Sequence, residues 1–209
     1  MINQKLLIEI HCHTKAHSPC SEIHAKDLIA KAIDKRLNGV VLTDHHYLWG
    51  ETELQELREV SGCRDDFVVL SGQEVTTRDF DDVLVYGAFE CFPYGVSLGH
   101  IRERAPDAAI VWAHPYRGIK RPGPDKLFAP ELDAIEIFNC NHRLSQNVYA
   151  YKEWLNWGFV ATAGTDVHDE KIGVFPCSFD DSNCSIDELS SAIKNNRCRP
   201  YTKTLRLPP

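Results

Sequence analysis

The chain lacks any long apolar run. None of its 209 residues lies in a stretch approaching the roughly 18 consecutive apolar residues that a membrane-spanning helix needs. The amino-terminal segment has one lysine and the short run LLI, far less than the apolar centre of an export signal. These absences predict a cytoplasmic protein with no membrane partner.

No two cysteines have the C-x-x-C spacing, although the chain contains eight cysteines. This excludes the usual thiolate zinc fingers and thioredoxin-type redox motifs. Because no export signal is visible, we expect the thiols to stay reduced. Most of the cysteines are therefore predicted to be small buried hydrophobic residues.

Basic residues are the minority, with 23 Lys and Arg against 30 Asp and Glu and a net charge of −7. Binding along a nucleic-acid backbone depends on neutralising phosphates with Lys and Arg, so this balance predicts no extended nucleic-acid binding. A local cationic pocket remains compatible with it. Bound divalent cations would offset part of the negative charge.

Apolar segments with strand character alternate with helical patterns along most of the chain. The seven strand-like segments are KLLIEIH, VVLTDHH, FVVLSGQE, DVLVYGAF, AAIVWAHP, AIEIFN and FVATAGTD. The helical segments are AKDLIAKAIDKRL, ETELQELREV, LSQNVYAYKEWLNWG and SIDELSSAIKNNR, the last with Ser185 as N-cap. This alternation predicts an α/β protein with a mostly parallel sheet in one domain, residues 1–209. The pattern alone does not separate a barrel from an open sheet.

Residues of the types that commonly bind metals lie at or just after the carboxyl ends of five predicted strands. They are His11, His13, Asp44, His45, His46, Glu74, His114, Asp166 and His168. The fourth strand differs, because its acids, Asp81 and Asp82, stand at its start. Alternation along a strand points the rings of His11 and His13 the same way. Barrels and open α/β sheets place their active sites at this edge.

Each of these residues alone is compatible with a structural role, but together they indicate a metal centre. Clustered acids with no basic residue among them are unfavourable unless cations occupy the cluster. Mixed imidazole and carboxylate donors suit Zn, Mn or Fe better than Ca or Mg. The candidate ligands are too many for one tetrahedral ion. We therefore predict two or three divalent metals about 3.5–4 Å apart, bridged by a carboxylate, for which Glu74 is our choice.

Read in chain order, EIHCHT, TDHH, GQEVTT, AHPYR and GTDVH resemble the motifs of the polymerase and histidinol phosphatase family, called PHP. The segment IEIFNCN extends the resemblance, which covers nearly the whole chain. It implies a distorted (β/α)7 TIM-like barrel that binds up to three metals and hydrolyses phosphate esters.

The resemblance also implies which residues bind the metals. For the first metal they are His11, His13, Glu74 and Asp166; for the second, Glu74 and His114; for the third, His45 and His168. Asp82 stands where the family commonly has a histidine, so it is a candidate ligand of the second metal. His17 or Cys20 in AHSPCS is a candidate additional ligand, where the family often has Asp or His.

Metals in such a site act as Lewis acids and lower the pKa of a bridging water, with Glu74 as a candidate catalytic residue through its bridging position. Arg117, three residues after His114, either binds phosphate with two hydrogen bonds or forms a surface salt bridge. Lys120 and Arg121 either form a cationic rim for a second phosphate or are simply solvated. His46 is a candidate general acid or a supporting group.

The leading hypothesis is a metal-dependent phosphoesterase whose partner is a small phosphomonoester or a nucleotide. One alternative is an exonuclease of the same family that acts at chain ends. Another is a metal-dependent amidohydrolase, which also begins with H-x-H but typically bridges its metals with a lysine. The third is a non-catalytic metal-binding regulatory protein. The sequence leaves the natural substrate, the metal and the oligomeric state open.

Overall fold

The computed structural model describes residues 5–118, 121–169, 175–179 and 184–201. The strands in these ranges are β1 Leu6–Cys12, β2 Gly39–Leu42, β3 Val68–Thr77, β4 Asp81–Tyr86, β5 Ala109–Trp112, β6 Ala134–Asn139, β7 Ala161–Gly164, β8 Cys177–Phe179 and β9 Cys198–Pro200. The helices are α1 Ala25–Asp34, α2 Glu51–Val60, α3 Leu98–Arg104, α4 Pro124–Leu127, α5 Leu144–Trp157 and α6 Ile186–Lys194. Among the described residues, no helix has the length and apolar character needed to cross a bilayer.

All nine strands belong to one sheet in the order β7-β6-β5-β4-β3-β2-β1-β8-β9. The pairs β1–β2, β2–β3, β5–β6 and β6–β7 are parallel. Just beyond β7, Val167 forms a parallel bridge with Cys12 of β1. There the His13 amide donates to the Val167 carbonyl at 3.1 Å. The sheet therefore curls into a nearly closed barrel, which confirms the predicted α/β barrel fold.

Strand β4 runs antiparallel to both of its neighbours, β3 and β5. Its first residues, Asp81 and Asp82, therefore lie at the barrel edge where the parallel strands end. This explains why the acids of β4 come at its start. Strand β3 is longer than predicted: the pattern ended it at Glu74, but it continues to Thr77 and pairs with β4 along its second half.

Two short strands were absent from the sequence prediction. Strand β8 pairs antiparallel with β1, and β9 pairs antiparallel with β8. Each has three residues, which is too short for a period-two pattern to be read.

Helices cover the outside of the barrel with faces that the sequence periodicity predicts. In α1, Leu28, Ile29 and Ala32 are fully buried at helical spacing. They belong to a cluster with residues of β1, β2 and α2. The hydroxyl of Ser185 accepts a hydrogen bond from the Glu188 amide at 3.2 Å, so the predicted N-cap of α6 is confirmed.

Candidate metal centre

The end of β1 places two imidazoles inside the barrel. His11 and His13 are both fully buried, and their Nε2 atoms lie 3.2 Å apart. Cys12 between them faces the other way, and its thiol donates to the Val41 carbonyl at 3.1 Å. The two rings therefore share one face of the strand, as its alternation requires.

Glu74 and Asp166 complete a group of four donor atoms with these histidines. Glu74 Oε2 lies 3.5 Å from His11 Nε2 and 3.0 Å from His13 Nε2. Asp166 Oδ1 lies 3.3 Å from each of the two Nε2 atoms. A tetrahedron of donors around a metal with bonds of about 2.0 Å has edges of about 3.3 Å. The spacing of these donors fits a single divalent ion.

Two further donor groups adjoin the first. One contains Glu74, Asp82 and His114, and the other contains His13, His45 and His168. Glu74 Oε1 lies 2.9 Å from His114 Nε2, whereas its Oε2 faces the first group. Asp82 is looser, with its Oδ2 3.9 Å from His114 Nε2. The Glu74 carboxylate thus faces two groups, which is the position of a bridge.

In the third group, the rings of His45 and His168 flank His13, with centroids 4.6 and 4.5 Å from its ring. His45 Nδ1 also lies 3.3 Å from Glu74 Oε2. The structure therefore brings together all eight residues that the sequence proposed as main ligands, and it adds His13 to the third group.

A buried carboxylate that the sequence analysis did not single out holds His11 in place. Glu136 of β6 is fully buried, and its Oε1 accepts a hydrogen bond from His11 Nδ1 at 2.8 Å. Its Oε2 accepts from the His114 amide at 3.0 Å and from Asn139 Nδ2 at 2.9 Å. With Nδ1 protonated, His11 presents its Nε2 lone pair to the donor group.

His13 is held in a comparable way through a hydroxyl. Its Nδ1 lies 3.2 Å from Ser18 Oγ, which itself donates to Asp44 Oδ1 at 2.5 Å. Because the Ser18 proton points to Asp44, the hydroxyl oxygen accepts from His13 Nδ1. This tautomer also leaves Nε2 of His13 for the centre.

The pKa shifts of Glu74 and His13 show how strongly the acids and imidazoles of this centre interact. Burial opposes ionisation of Glu74, but the positive charge of His11 and hydrogen bonds from His11 and His114 outweigh it and hold the pKa of Glu74 well below its usual range. Burial disfavours the charged form of His13, but hydrogen bonds to Asp166 and Glu74 raise its pKa to about 9. Carboxylates that attract protons this strongly to imidazoles also attract a divalent cation in exchange for those protons.

One basic side chain does enter the centre, contrary to the sequence-based premise that none is interspersed. Arg117 Nη2 donates to Asp166 Oδ2. The Arg117 side chain is 42% exposed, whereas Asp166 is buried. Because the pair uses Oδ2, Oδ1 of Asp166 still faces the histidines.

Two of the other proposed site residues, Arg121 and His46, lie outside the three donor groups found in the described ranges. Arg121 is exposed, with its guanidinium 5.0 Å from the centroid of the Tyr149 ring. Lys120 lies outside the described residues. His46 Nδ1 donates to the Phe92 carbonyl at 2.9 Å at the rim of the barrel.

Neither proposed additional ligand belongs to a donor group found in the described ranges. The His17 ring stacks on Tyr47 with centroids 3.5 Å apart, and its Nε2 lies 3.8 Å from Glu53. Cys20 is exposed. The loop after β1 instead contributes Ser18, which has no metal-ligand signature in sequence.

Two buried acids that support the centre share a sequence signal, a charged residue within an otherwise apolar strand. Besides Glu136 in AIEIFN, Glu9 in LLIEIH is fully buried. Glu9 Oε1 accepts from the amides of His11 at 3.0 Å and Thr165 at 2.9 Å. Burial raises the pKa of Glu9 to about 7. Such inward-facing acids mark the wall of the centre.

Comparison with known proteins finds solved structures that share the fold of this chain. No family model matches the sequence. An uncharacterized protein of Methanocaldococcus jannaschii is 27% identical over 148 residues, which span 65% of this chain and 82% of that protein. A two-domain protein of Bacteroides vulgatus that contains a predicted PHP-like metal-dependent phosphoesterase has a TM-score of 0.68 at 14% identity, over 95% of this chain and 65% of that chain. This chain has the PHP-type barrel fold. The resemblance read from the sequence is confirmed at that level.

A second structure with this fold corrects one prediction. Endonuclease Q, in complex with a 27-mer duplex substrate that has an abasic lesion at the active site, has a TM-score of 0.65 at 14% identity, over 92% of this chain and 57% of that chain. A PHP-type barrel therefore occurs in a protein that binds duplex DNA, and the prediction of no extended nucleic-acid binding is wrong. The net charge of the chain was a poor basis for that prediction, because contacts to a nucleic-acid backbone depend on local cationic surface and not on the summed charge of all residues.

Proposed function

We propose that this chain is a metal-dependent phosphoesterase of the PHP type, acting through one domain over residues 1–209. The observation that supports this best is the position of Glu74. Its Oε2 lies 3.0 Å from His13 Nε2, and its Oε1 lies 2.9 Å from His114 Nε2. A buried carboxylate shared by two histidine-containing groups is the arrangement of hydrolases with paired metals.

The three donor groups would hold two or three divalent ions, and their nitrogen and oxygen donors suit Zn, Mn or Fe. When bound, the metals supply Lewis-acid polarisation of phosphoryl oxygens and a lowered pKa for a bound water. The protein contributes the orientation of the donors: Glu136 fixes the His11 ring, and Ser18 fixes the His13 ring.

Arg117 binds the substrate phosphate in this proposal. Its guanidinium is paired with Asp166 but remains partly exposed, so its positive charge lies beside the donor groups and reaches the solvent side. A guanidinium there stabilises the negative charge on the phosphoryl oxygens. Arg121 lies four residues farther along the chain, and its exposed guanidinium is our second candidate for a phosphate contact.

His46 serves as the proton donor to the leaving oxygen. Its amide donates to the Glu74 carbonyl at 2.8 Å, which fixes its backbone directly beside the bridging residue. Because Nδ1 donates to the Phe92 carbonyl, Nε2 is the nitrogen left to exchange a proton with the substrate. We propose phosphate esters of small compounds, nucleotides and nucleic acid as the substrate class.

The test combines metal analysis with a phosphate-release screen. Purified protein is analysed for Zn, Mn and Fe, then assayed with p-nitrophenyl phosphate, nucleoside monophosphates and short oligonucleotides. Glu74→Ala and His114→Ala should each abolish turnover and reduce bound metal, whereas His100→Ala, at a 52% exposed imidazole of α3, should match the wild type. Full metal loading without release from any substrate, or unchanged rates in both site variants, would contradict the proposal.

A further inference from the structure

The rim of the metal centre carries an exposed aromatic ring that the hydrolytic chemistry does not use. Tyr94 is 80% exposed, and its ring centroid lies 6.0 Å from that of His46. The His46 centroid lies 6.5 Å from that of His45, which belongs to the third donor group. Successive rings therefore lead from the metal centre to Tyr94, so Tyr94 adjoins the centre and does not belong to a separate face.

The backbone that presents Tyr94 is a fixed turn. The Val96 amide donates to the Pro93 carbonyl at 3.3 Å, and Gly95 has φ +76°, which fits the third position of a type II turn. The Gly95 amide also donates to the Thr76 carbonyl at the end of β3, at 2.8 Å. Tyr94 occupies the second position of this turn, so its ring is displayed on a backbone that is anchored to the sheet.

His46 beside it is fixed equally firmly. It has a left-handed backbone with φ 56°, and its ring is bonded to the Phe92 carbonyl. Phe92 is buried, and its amide donates to Gln73 Oε1 at 2.9 Å. The two rings are tilted by 58° to each other, so neither ring covers the face of the other.

We propose that Tyr94, beside His46, forms a stacking subsite for the nucleobase of the nucleotide whose phosphate reacts at the metal centre. This inference rests on the proposed phosphoesterase function and narrows its substrates to nucleotides and nucleic-acid ends. Aromatic side chains beside a backbone-binding site bind bases of any sequence, because every base presents a π-face. A ring held on a rigid turn loses little conformational freedom when the base stacks on it.

Binding of two matched oligonucleotides tests the proposal without relying on turnover. Both carry a 5′-phosphorothioate that slows hydrolysis; one has 2-aminopurine at the terminal nucleotide and the other has an abasic residue there. The wild type should bind the base-containing oligonucleotide more tightly and quench its fluorescence. Tyr94→Ala should weaken that binding roughly 5- to 150-fold and leave the binding of the abasic oligonucleotide unchanged. Tyr94→Phe keeps a ring and should retain the wild-type preference.

Phe89→Ala is the matched control. Phe89 is 96% exposed and lines a cavity with Asp107 and Lys194, which lie at the opposite end of the barrel, before β5 and at the end of α6. Phe89→Ala should leave the affinities for both oligonucleotides unchanged. Equal wild-type affinity for the two oligonucleotides, or an equal loss for both in Tyr94→Ala, would overturn the subsite. Failure to hydrolyse any phosphate ester would instead overturn the proposed function. The two failures are distinguishable because the base-dependent difference in affinity is measured without turnover.

Discussion

Gly164→Ala should disable the metal centre although Gly164 contacts no substrate. Gly164 is the last residue of β7 and lies against His11 of β1. A Cβ added there would overlap the Cβ of His11 and lie 2.6 Å from Glu136 Oε1. Ordinary carbon contacts are at about 3.5–4.0 Å, so His11 or β7 would have to retreat by about 1 Å or more.

His11 cannot move in any direction without losing a hydrogen bond or changing its distances to the other donor atoms. Its Nδ1 is bonded to Glu136 at 2.8 Å, and its Nε2 lies 3.2–3.5 Å from three other donor atoms. Overpacking of this kind typically lowers the free energy of unfolding by about 1–3 kcal/mol, which is about 2–12 °C in Tm for a chain of this size. A displacement of about 1 Å at a reacting centre reduces turnover by about 10²-fold.

The assay follows thermal unfolding of metal-free protein, metal content after dialysis, and phosphate release, for Gly164→Ala and for Gly99→Ala. Gly99 is exposed in α3, and an added Cβ would meet no atom within 4 Å. Alanine there should be neutral or stabilise by up to about 1 kcal/mol. If Gly164→Ala matched the wild type in Tm, bound metal and rate, the argument that His11 is wedged between β7 and Glu136 would be refuted.

Three further predictions address the centre. Glu136→Gln should weaken metal binding about 10- to 100-fold, because the His11 ring loses its charged partner, as measured by metal titration; wild-type affinity would contradict that role. Arg117→Ala should lower kcat/KM for phosphate esters about 10²-fold and Arg117→Lys should restore it only in part, whereas equal rates in steady-state assays would exclude a phosphate contact. Removing the metals with a chelator should lower Tm, since ligand at about 100 times its Kd stabilises by about 2.7 kcal/mol; an unchanged scanning-calorimetry Tm would mean that the buried acids do not depend on cations.

Local periodicity predicted the α/β alternation, and the resemblance to the PHP family supplied the barrel and the grouping of the candidate ligands, but neither predicted the residues that support those ligands. The spacing of His11 and His13 predicts a shared face, and the placement of acids and imidazoles around the strands predicts convergence, because barrel closure brings those positions together. The supporting role of Glu136 could not be predicted because its partner, His11, is 125 residues away in the chain, and no local pattern indicates such a pair. The need for glycine at position 164 could not be predicted for the same reason, because it depends on His11 and Glu136, which pack against it.

Asp44 and Asp166 show why a list of polar residues at strand ends does not separate ligands from supports. Both follow a threonine at the end of a buried strand, in TDHH and GTDVH. Asp44 accepts four hydrogen bonds from neutral donors, two from Thr14 and one each from Ser18 and Trp49. A carboxylate has about four lone-pair sites, so Asp44 has none left for a metal. Asp166 Oδ1 faces only imidazole nitrogens among the contacts described, so Asp166 fits a metal donor in our proposal. Asp44 instead positions the loop whose Ser18 contacts His13.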